Sequence, residues 1–272
     1  MSVDHYENFP VASILLPRRL RRPVEIIYHF ARQADDFADE GEMPNEERLA
    51  KLDGFRAELK RIEANETPQT PLFRDVADIV REHRLPLQLF HDLLDAFSQD
   101  VVKKRYASFD EVLDYCRRSA NPVGRLLLHL YGEATPQSLI YSDHICTSLQ
   151  LINFWQDVKK DYAIGRVYLP QDDMARFGVS EAHIAQGNPD SAWRELMRFE
   201  ADRAGEMMRS GAPLGSILRG RIWLEMRMII AGGNRILDKL RGVNFDMFQR
   251  RPVLQGHDWF IMLLRSAPFQ NL

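Results

Sequence analysis

Only two cysteines, Cys116 and Cys146, occur in the 272 residues, and both fall in segments of helical pattern. That excludes a disulfide scaffold, and reduced thiols are expected. The N-terminus lacks the charged start, short apolar run and small-residue cleavage site of a secretory leader, so a cytoplasmic protein is expected. No uncharged apolar run approaches the ~20 residues needed to cross a bilayer; the longest candidate, Ala134 to Trp155, is interrupted by Asp143. An excess of positive charge is also missing. Lysine and arginine total 36 against 39 acidic residues, a net charge of −3, which leaves no electrostatic footprint for nucleic acid. A short basic run, Arg18, Arg19, Arg21 and Arg22, suits a phosphate, an anionic membrane surface or a solvated helix start equally well. Convincing period-two alternation is absent, and so is a Gly-rich dinucleotide fingerprint after a strand. No fixed repeat, low-complexity tract or linker divides the chain, so residues 1–272 are expected to form one all-α domain.

What the sequence does contain is helical periodicity. Pro23 and Gly41 suit the first position and the C-terminal cap of a helix ending at Glu40. Further helices are predicted near 46–64, 72–82, 86–98, 109–131, 137–162, 190–209, 213–232 and 234–241. The stretch from Asp161 to Pro189 carries Gly165, Pro170, Gly178, Gly187 and Pro189 with little periodicity, the pattern of a long binding loop or lid.

Two acidic clusters stand out. In the first helix Val24, Ile27, Phe30, Ala31, Ala34, Phe37 and Ala38 mark a core face. Asp35 and Asp39 are four apart and share one face, about 6 Å apart along the axis. Arg32 and Tyr28 roughly continue that stripe toward the N-terminus. In the long central helix Gln150, Asn153, Asp157 and Asp161 form a second stripe of amide and carboxylate oxygens. Such hard oxygen donors suit Mg²⁺, which keeps several waters and bridges carboxylates to phosphates. Both clusters lie near helix C-termini, where the macrodipole disfavours negative charge by ~0.3–1 kcal/mol per group. A solvated acidic face would accumulate there at a cost, whereas a bound cation offsets it. Two such sites about 120 residues apart in the chain could face one another across a helical bundle.

The stretches IYHFARQADDFADE, YCRRSANPVG, LQLINFWQDVKKD and GRVYLP, in this order and approximate spacing, resemble the squalene/phytoene synthase family, the head-to-head isoprenoid synthases, over nearly the whole chain. The resemblance implies an isoprenoid-synthase-type helical bundle around a central cavity. It implies that Asp35, Asp36, Asp39, Asn153, Asp157 and Asp161 hold Mg²⁺ around the diphosphate of a prenyl substrate. Arg32 and Arg166 are then candidates to clamp the departing diphosphate, with Tyr168 in the flap, Gln150 on the second stripe, and Arg250 and Arg251 as further cations. Tyr115, Ala120, Val123 and Gly124 match a segment lining the prenyl channel. The neighbouring Leu126, Leu127, Leu128 and Leu130 read as channel wall or as core.

Two departures narrow the resemblance. Members that condense two prenyl diphosphates usually carry Ser-x-x-Phe or Ser-Phe near the N-terminus, where this chain has Glu7-Asn8 before Phe9. Gln156 stands where many relatives have Arg. The form ENFPVASILLP resembles the bacterial hopanoid-pathway branch, which takes presqualene diphosphate to hydroxysqualene. That resemblance implies a substrate-binding role for Asn8 and no need for NAD(P)H. Tyr28, Tyr168 or a diphosphate oxygen would take the proton of the attacking water. Peripheral contact with the inner membrane fits a C30 lipid substrate, and nothing in the sequence sets an oligomeric state. The alternatives are squalene, presqualene diphosphate or phytoene synthesis, and a non-catalytic assembly factor of the same fold.

Overall fold

The structure is a computed structural model and describes residues 16–265; the expectations placed on Asn8 and its neighbours lie outside the described residues. The described residues are built from thirteen α-helices, with no strand. They fall into two compact units, between which the chain passes three times: one comprises residues up to Lys103 with Arg117–Leu139, the other Lys104–Cys116 with the chain from Ile140 onward. No described helix is long and apolar enough to cross a membrane.

The first unit contains α1 (Arg18–Asp39), α2 (Asn45–Glu63), α3 (Pro71–His83), α4 (Gln88–Val102) and α6 (Asn121–Tyr131), the last following the 11-residue α5 (Phe109–Ser119). Helix α1 packs against α2, α3, α4 and α6. It begins five residues before the expected Pro23, which lies buried inside the helix. At this sixth helical position the missing N–H forgoes the bond that the residue would otherwise make to the Arg19 carbonyl. The predicted helix over 109–131 is two helices, broken at Ala120, with Pro122 in the first turn of the second, where its missing N–H has no intrahelical acceptor to lose. The core holds the predicted stripe of α1, with Val24, Ile27, Phe30 and Ala34 at 1% exposure or less. Phe30 meets Phe55, Phe73 and Phe90 at ring-centroid distances of 5.6, 5.8 and 5.1 Å. Leu126 and Leu130 are buried in this core with Val123 and Leu127 packed against it, so these leucines serve as core.

The second unit carries most of α5, most of α7 (Pro136–Ala163), and α8 (Gln171–Arg176), α9 (Glu181–Gln186), α10 (Ser191–Gly211), α11 (Leu214–Ile217), α12 (Gly220–Gly242) and α13 (Gly256–Arg265). Helix α12 runs through Gly232 and Gly233 without the break predicted between the helices near 213–232 and 234–241. Their absent side chains permit close packing instead: a Cβ on Gly233 would stand 2.5 Å from Met208 Cε. At Gly211 a Cβ would meet the Tyr141 carbonyl oxygen of α7 at 2.6 Å. Where α7 and α10 run this close, the Ser148 hydroxyl donates to the Ala204 carbonyl at 2.7 Å.

Helices α8 and α9 replace the expected irregular loop. A six-residue helix has little stability of its own, and α8 is fastened by Asp173, which accepts from Arg203 of α10 at 2.9 Å. The Arg203 guanidinium also lies 3.7 Å from the Phe109 ring centroid and 3.5 Å from Glu200. Glu200 is fully buried. Burial pushes its carboxyl up to about 8; Arg203 pulls down, and Asp173 and then Asp172 push up further. An acid held above its ordinary 4.5 leaves the folded state binding more protons than the unfolded one, so stability falls as pH rises between those values. Glu200→Gln is therefore expected to flatten the decline in urea-unfolding free energy between pH 5 and 8. A variant as steep as the wild type would refute the buried-acid assignment.

Candidate active site

The first acidic cluster closes α1. Arg32 Nη1 lies 3.2 Å from Asp35, and its Nη2 lies 2.7 Å from Asp36 and 2.5 Å from Glu40. One guanidinium thus gathers three of the four closing acids: Asp35 and Asp36 by the (i, i+3) and (i, i+4) spacings, and Glu40, eight residues on, from the extended C-cap. Asp39 is exposed, and Tyr28 is half-buried on the same helix. An open cavity of about 370 Å³ is lined by Ile26, His29, Arg32, Gln33, Asp36, Leu72 and Asp75. It takes in Asp36 but neither Asp39 nor Asp35, the latter pointing about 100° away as the preceding helical position. The helix end also has a cation that sequence reading missed. Arg48 of α2 donates to the carbonyls of Phe37, Glu40, Gly41 and Met43 at 3.0, 3.2, 2.6 and 3.1 Å. It satisfies orphan acceptors and offsets part of the negative helix end.

The second cluster occupies the last four turns of α7. Asp157 is buried. Its Oδ1 and Oδ2 accept from Arg251 Nε and Nη2 at 2.6 and 2.8 Å, and Lys160 Nζ lies 3.2 Å from Oδ1. Burial pushes this carboxyl up, but the Arg251 and then the Lys160 contacts outweigh it and hold the group below its ordinary value. Gln150, Asn153 and Asp161 are half-buried, and Arg250 is exposed. The Arg166 amide donates to the Asp161 carbonyl at 2.8 Å, which sets the buried Arg166 at the helix end.

Beyond α7 the segment GRVYLP is pinned rather than loose. The Val167, Gln171 and Asp172 amides donate to the carbonyls of Lys104, Tyr106 and Ala107 at 3.0, 2.9 and 3.1 Å. Arg105 donates to Glu181 at 2.5 and 2.8 Å and to the Gly165 carbonyl at 2.5 Å. Tyr168 stacks on Phe154, centroids 3.7 Å apart and rings 7° from parallel, with Tyr106 and Tyr115 at 5.6 and 5.8 Å. A cavity of about 10 Å³ lies among Phe154, Val158, Asp161, Arg166, Val167, Tyr168 and Leu169, at the lower limit for one water. Of the predicted channel residues, Tyr115 joins this ring cluster in the second unit. Ala120, Val123 and Gly124 sit at the start of α6 in the first. Arg105, Tyr106 and Phe154 were not anticipated.

Among the described residues no three His, Cys, Asp or Glu side chains already form a metal-ligating group. The donors available are paired carboxylates and an amide. That set fits Mg²⁺, an ion that takes one or two protein carboxylates and completes its shell with water and phosphate.

The family model for squalene/phytoene synthase matches residues 3–258. The chain belongs to the squalene/phytoene synthase family. Within this family it is 36% identical over 237 residues to the hydroxysqualene synthase of Rhodopseudomonas palustris, covering 86% of this chain and 80% of that one. It is 33% identical over 210 residues to the phytoene synthase of Mycobacterium tuberculosis, covering 76% and 68%. The crystal structure of a squalene synthase from Alicyclobacillus acidocaldarius superimposes with a TM-score of 0.82 at 35% identity, over 89% of this chain and 90% of that one. A dehydrosqualene synthase of 22% identity shares the fold, with a TM-score of 0.82 over 96% of this chain and 91% of its own. Squalene/phytoene synthase family members are isoprenoid-synthase enzymes, and the all-α architecture here is theirs.

Proposed function

We propose that this chain ionises presqualene diphosphate and lets water capture the rearranged carbocation, giving hydroxysqualene and diphosphate. The observation that carries this reading is its similarity to hydroxysqualene synthases, 36% identical in one bacterium and 34% in a second. The Glu7-Asn8 and Gln156 departures point the same way. Asp35, Asp36, Asp39, Asn153, Asp157 and Asp161 would hold Mg²⁺, which supplies charge stabilisation for the departing diphosphate. Arg32, Arg166 and Arg251 add fixed positive charge to that end of the substrate, with Asn8 and Gln150 as further polar contacts. Tyr115, Ala120, Val123 and Gly124 border the prenyl chain. Tyr168, immobilised against Phe154, and Tyr28 are the side chains that take the proton of the captured water if the diphosphate does not. The ledger closes without a reductant: the C–O bond to diphosphate breaks, a C–O bond to water forms, and one proton leaves. No nicotinamide is required. The enzyme would work in the cytoplasm, touching the inner membrane peripherally to exchange C30 lipids.

A second reading, head-to-head condensation of two prenyl diphosphates, is supported by the 33% identity to a phytoene synthase. One assay separates the two. With Mg²⁺ and no nicotinamide, the purified protein is expected to convert presqualene diphosphate to hydroxysqualene and to leave farnesyl diphosphate untouched. Consumption of farnesyl diphosphate alone, or squalene formed only with NADPH, would overturn the proposal.

A further inference from the structure

Residues 243–255 link α12 to α13 without regular helix, and α7 holds this strap at successive points. Lys159 Nζ donates to the Phe248 carbonyl at 3.1 Å, Gln156 Nε2 donates to the Pro252 carbonyl at 2.7 Å, and Asp157 accepts both bonds from Arg251. At the far end Lys239 of α12 donates to the Val253 carbonyl at 2.8 Å. Proline has no N–H, so the carbonyl is the only backbone group by which residue 252 can be held. That bond is buried, and Gln156 makes it without adding charge beside Asp157. Adjacent residues of one helix therefore grip adjacent residues of the strap, one through an amide and one through a carboxylate.

We propose that Gln156 is a positioning residue: its amide fixes Pro252 so that Arg251 stands at the height of Asp157 and of the diphosphate bound there. This rests on the reading of Asp157 and Arg251 as part of the diphosphate site. Arg251 reaches Asp157 from 94 residues away in sequence, on a segment with no helix of its own to orient it. Its guanidinium is correct in position only while its neighbour is.

The test is calorimetric binding of inorganic pyrophosphate with Mg²⁺ to the full chain. It compares wild type, Gln156→Met (similar in size, no donor), Arg251→Ala and the double variant. Gln156→Met is expected to weaken binding on the order of tenfold, as loss of an outer-shell partner does. Arg251→Ala is expected to weaken it at least as much, and the double variant no further than Arg251→Ala alone, the signature of two residues acting as one unit. Trypsin should also cut after Arg250 faster in Gln156→Met than in wild type, the bond after Arg251 being protected by Pro252. Gln156→Asn, too short to reach Pro252, provides the same comparison if the methionine variant does not fold. Wild-type affinity in Gln156→Met, or a loss that adds fully to that of Arg251→Ala, overturns the positioning role. If Arg251→Ala itself binds pyrophosphate normally, the underlying site reading fails as well.

Discussion

Asp157→Asn is expected to lower turnover by about 10²–10³-fold, the range seen when one electrostatic partner of a reacting group is removed. The substitution keeps the size of the side chain but removes the charge that a divalent cation needs. Excess chelator should abolish wild-type turnover to the same extent. Stability should drop less, by about 1–3 kcal/mol, because Arg251 and Lys160 lose their counter-charge but Arg251 is partly open to water. The pH dependence has a definite sign. A carboxyl held below its ordinary value contributes stability above the unfolded value of about 3.8 and loses it as pH falls through the lower folded one. The Asp157→Asn variant should therefore lose less stability on acidification than the wild type. Turnover is read by product formation from presqualene diphosphate, and fold by circular dichroism melting. Full activity, with or without chelator, would remove Asp157 from the mechanism.

Phe30→Ala is expected to cost about 3–5 kcal/mol in urea unfolding, the range for deleting a fully buried aromatic side chain. Phe30 is completely buried, and three rings lose a partner at once. Phe55 and Phe73 would still touch, at 4.8 Å, so the cavity cannot close by their simple collapse. The residue precedes Asp35 by five positions on the same helix, so turnover should decline as well, from a looser mounting of the acids. Phe30→Leu, which refills part of the space, should cost less. A loss under about 1 kcal/mol for the alanine variant would show that the phenyl cluster is not the core of this unit.

Legibility in the sequence followed the range of the interactions. The apolar stripe of α1 and the acidic pairs on α1 and α7 are set by spacings of three and four within one helix, and those spacings survive into the structure. The break expected at Gly232–Gly233 did not appear, because a glycine that weakens a helix and one that admits a neighbouring helix look alike in one dimension. Helices α8 and α9 were hidden for a related reason: six residues carry too little periodicity, and their support comes from Arg203 and Arg105, far along the chain. Arg48 capping α1, Arg105 tying Gly165 to Glu181, and Arg251 gripping Asp157 all act across sequence distances that no local pattern records. The family motifs nonetheless marked Tyr168 and Arg166, whose surroundings only the fold supplies.

The two glycines at the crowded helix contacts of the second unit are not equivalent in what they permit over evolutionary time. At Gly211 the nearest obstacle includes the main chain of α7, the Tyr141 carbonyl oxygen at 2.6 Å, and a backbone carbonyl cannot retreat without its helix. At Gly233 the obstacles are side-chain ends, the Met208 methyl at 2.5 Å and Leu149 Cδ2 at 3.1 Å, which a shorter residue at 208 and a small shift of the leucine would clear. Homologues can therefore drift at 233 provided residue 208 shrinks with it, a paired change visible as covariation. Position 211 has no such partner and should stay glycine wherever α7 and α10 lie this close.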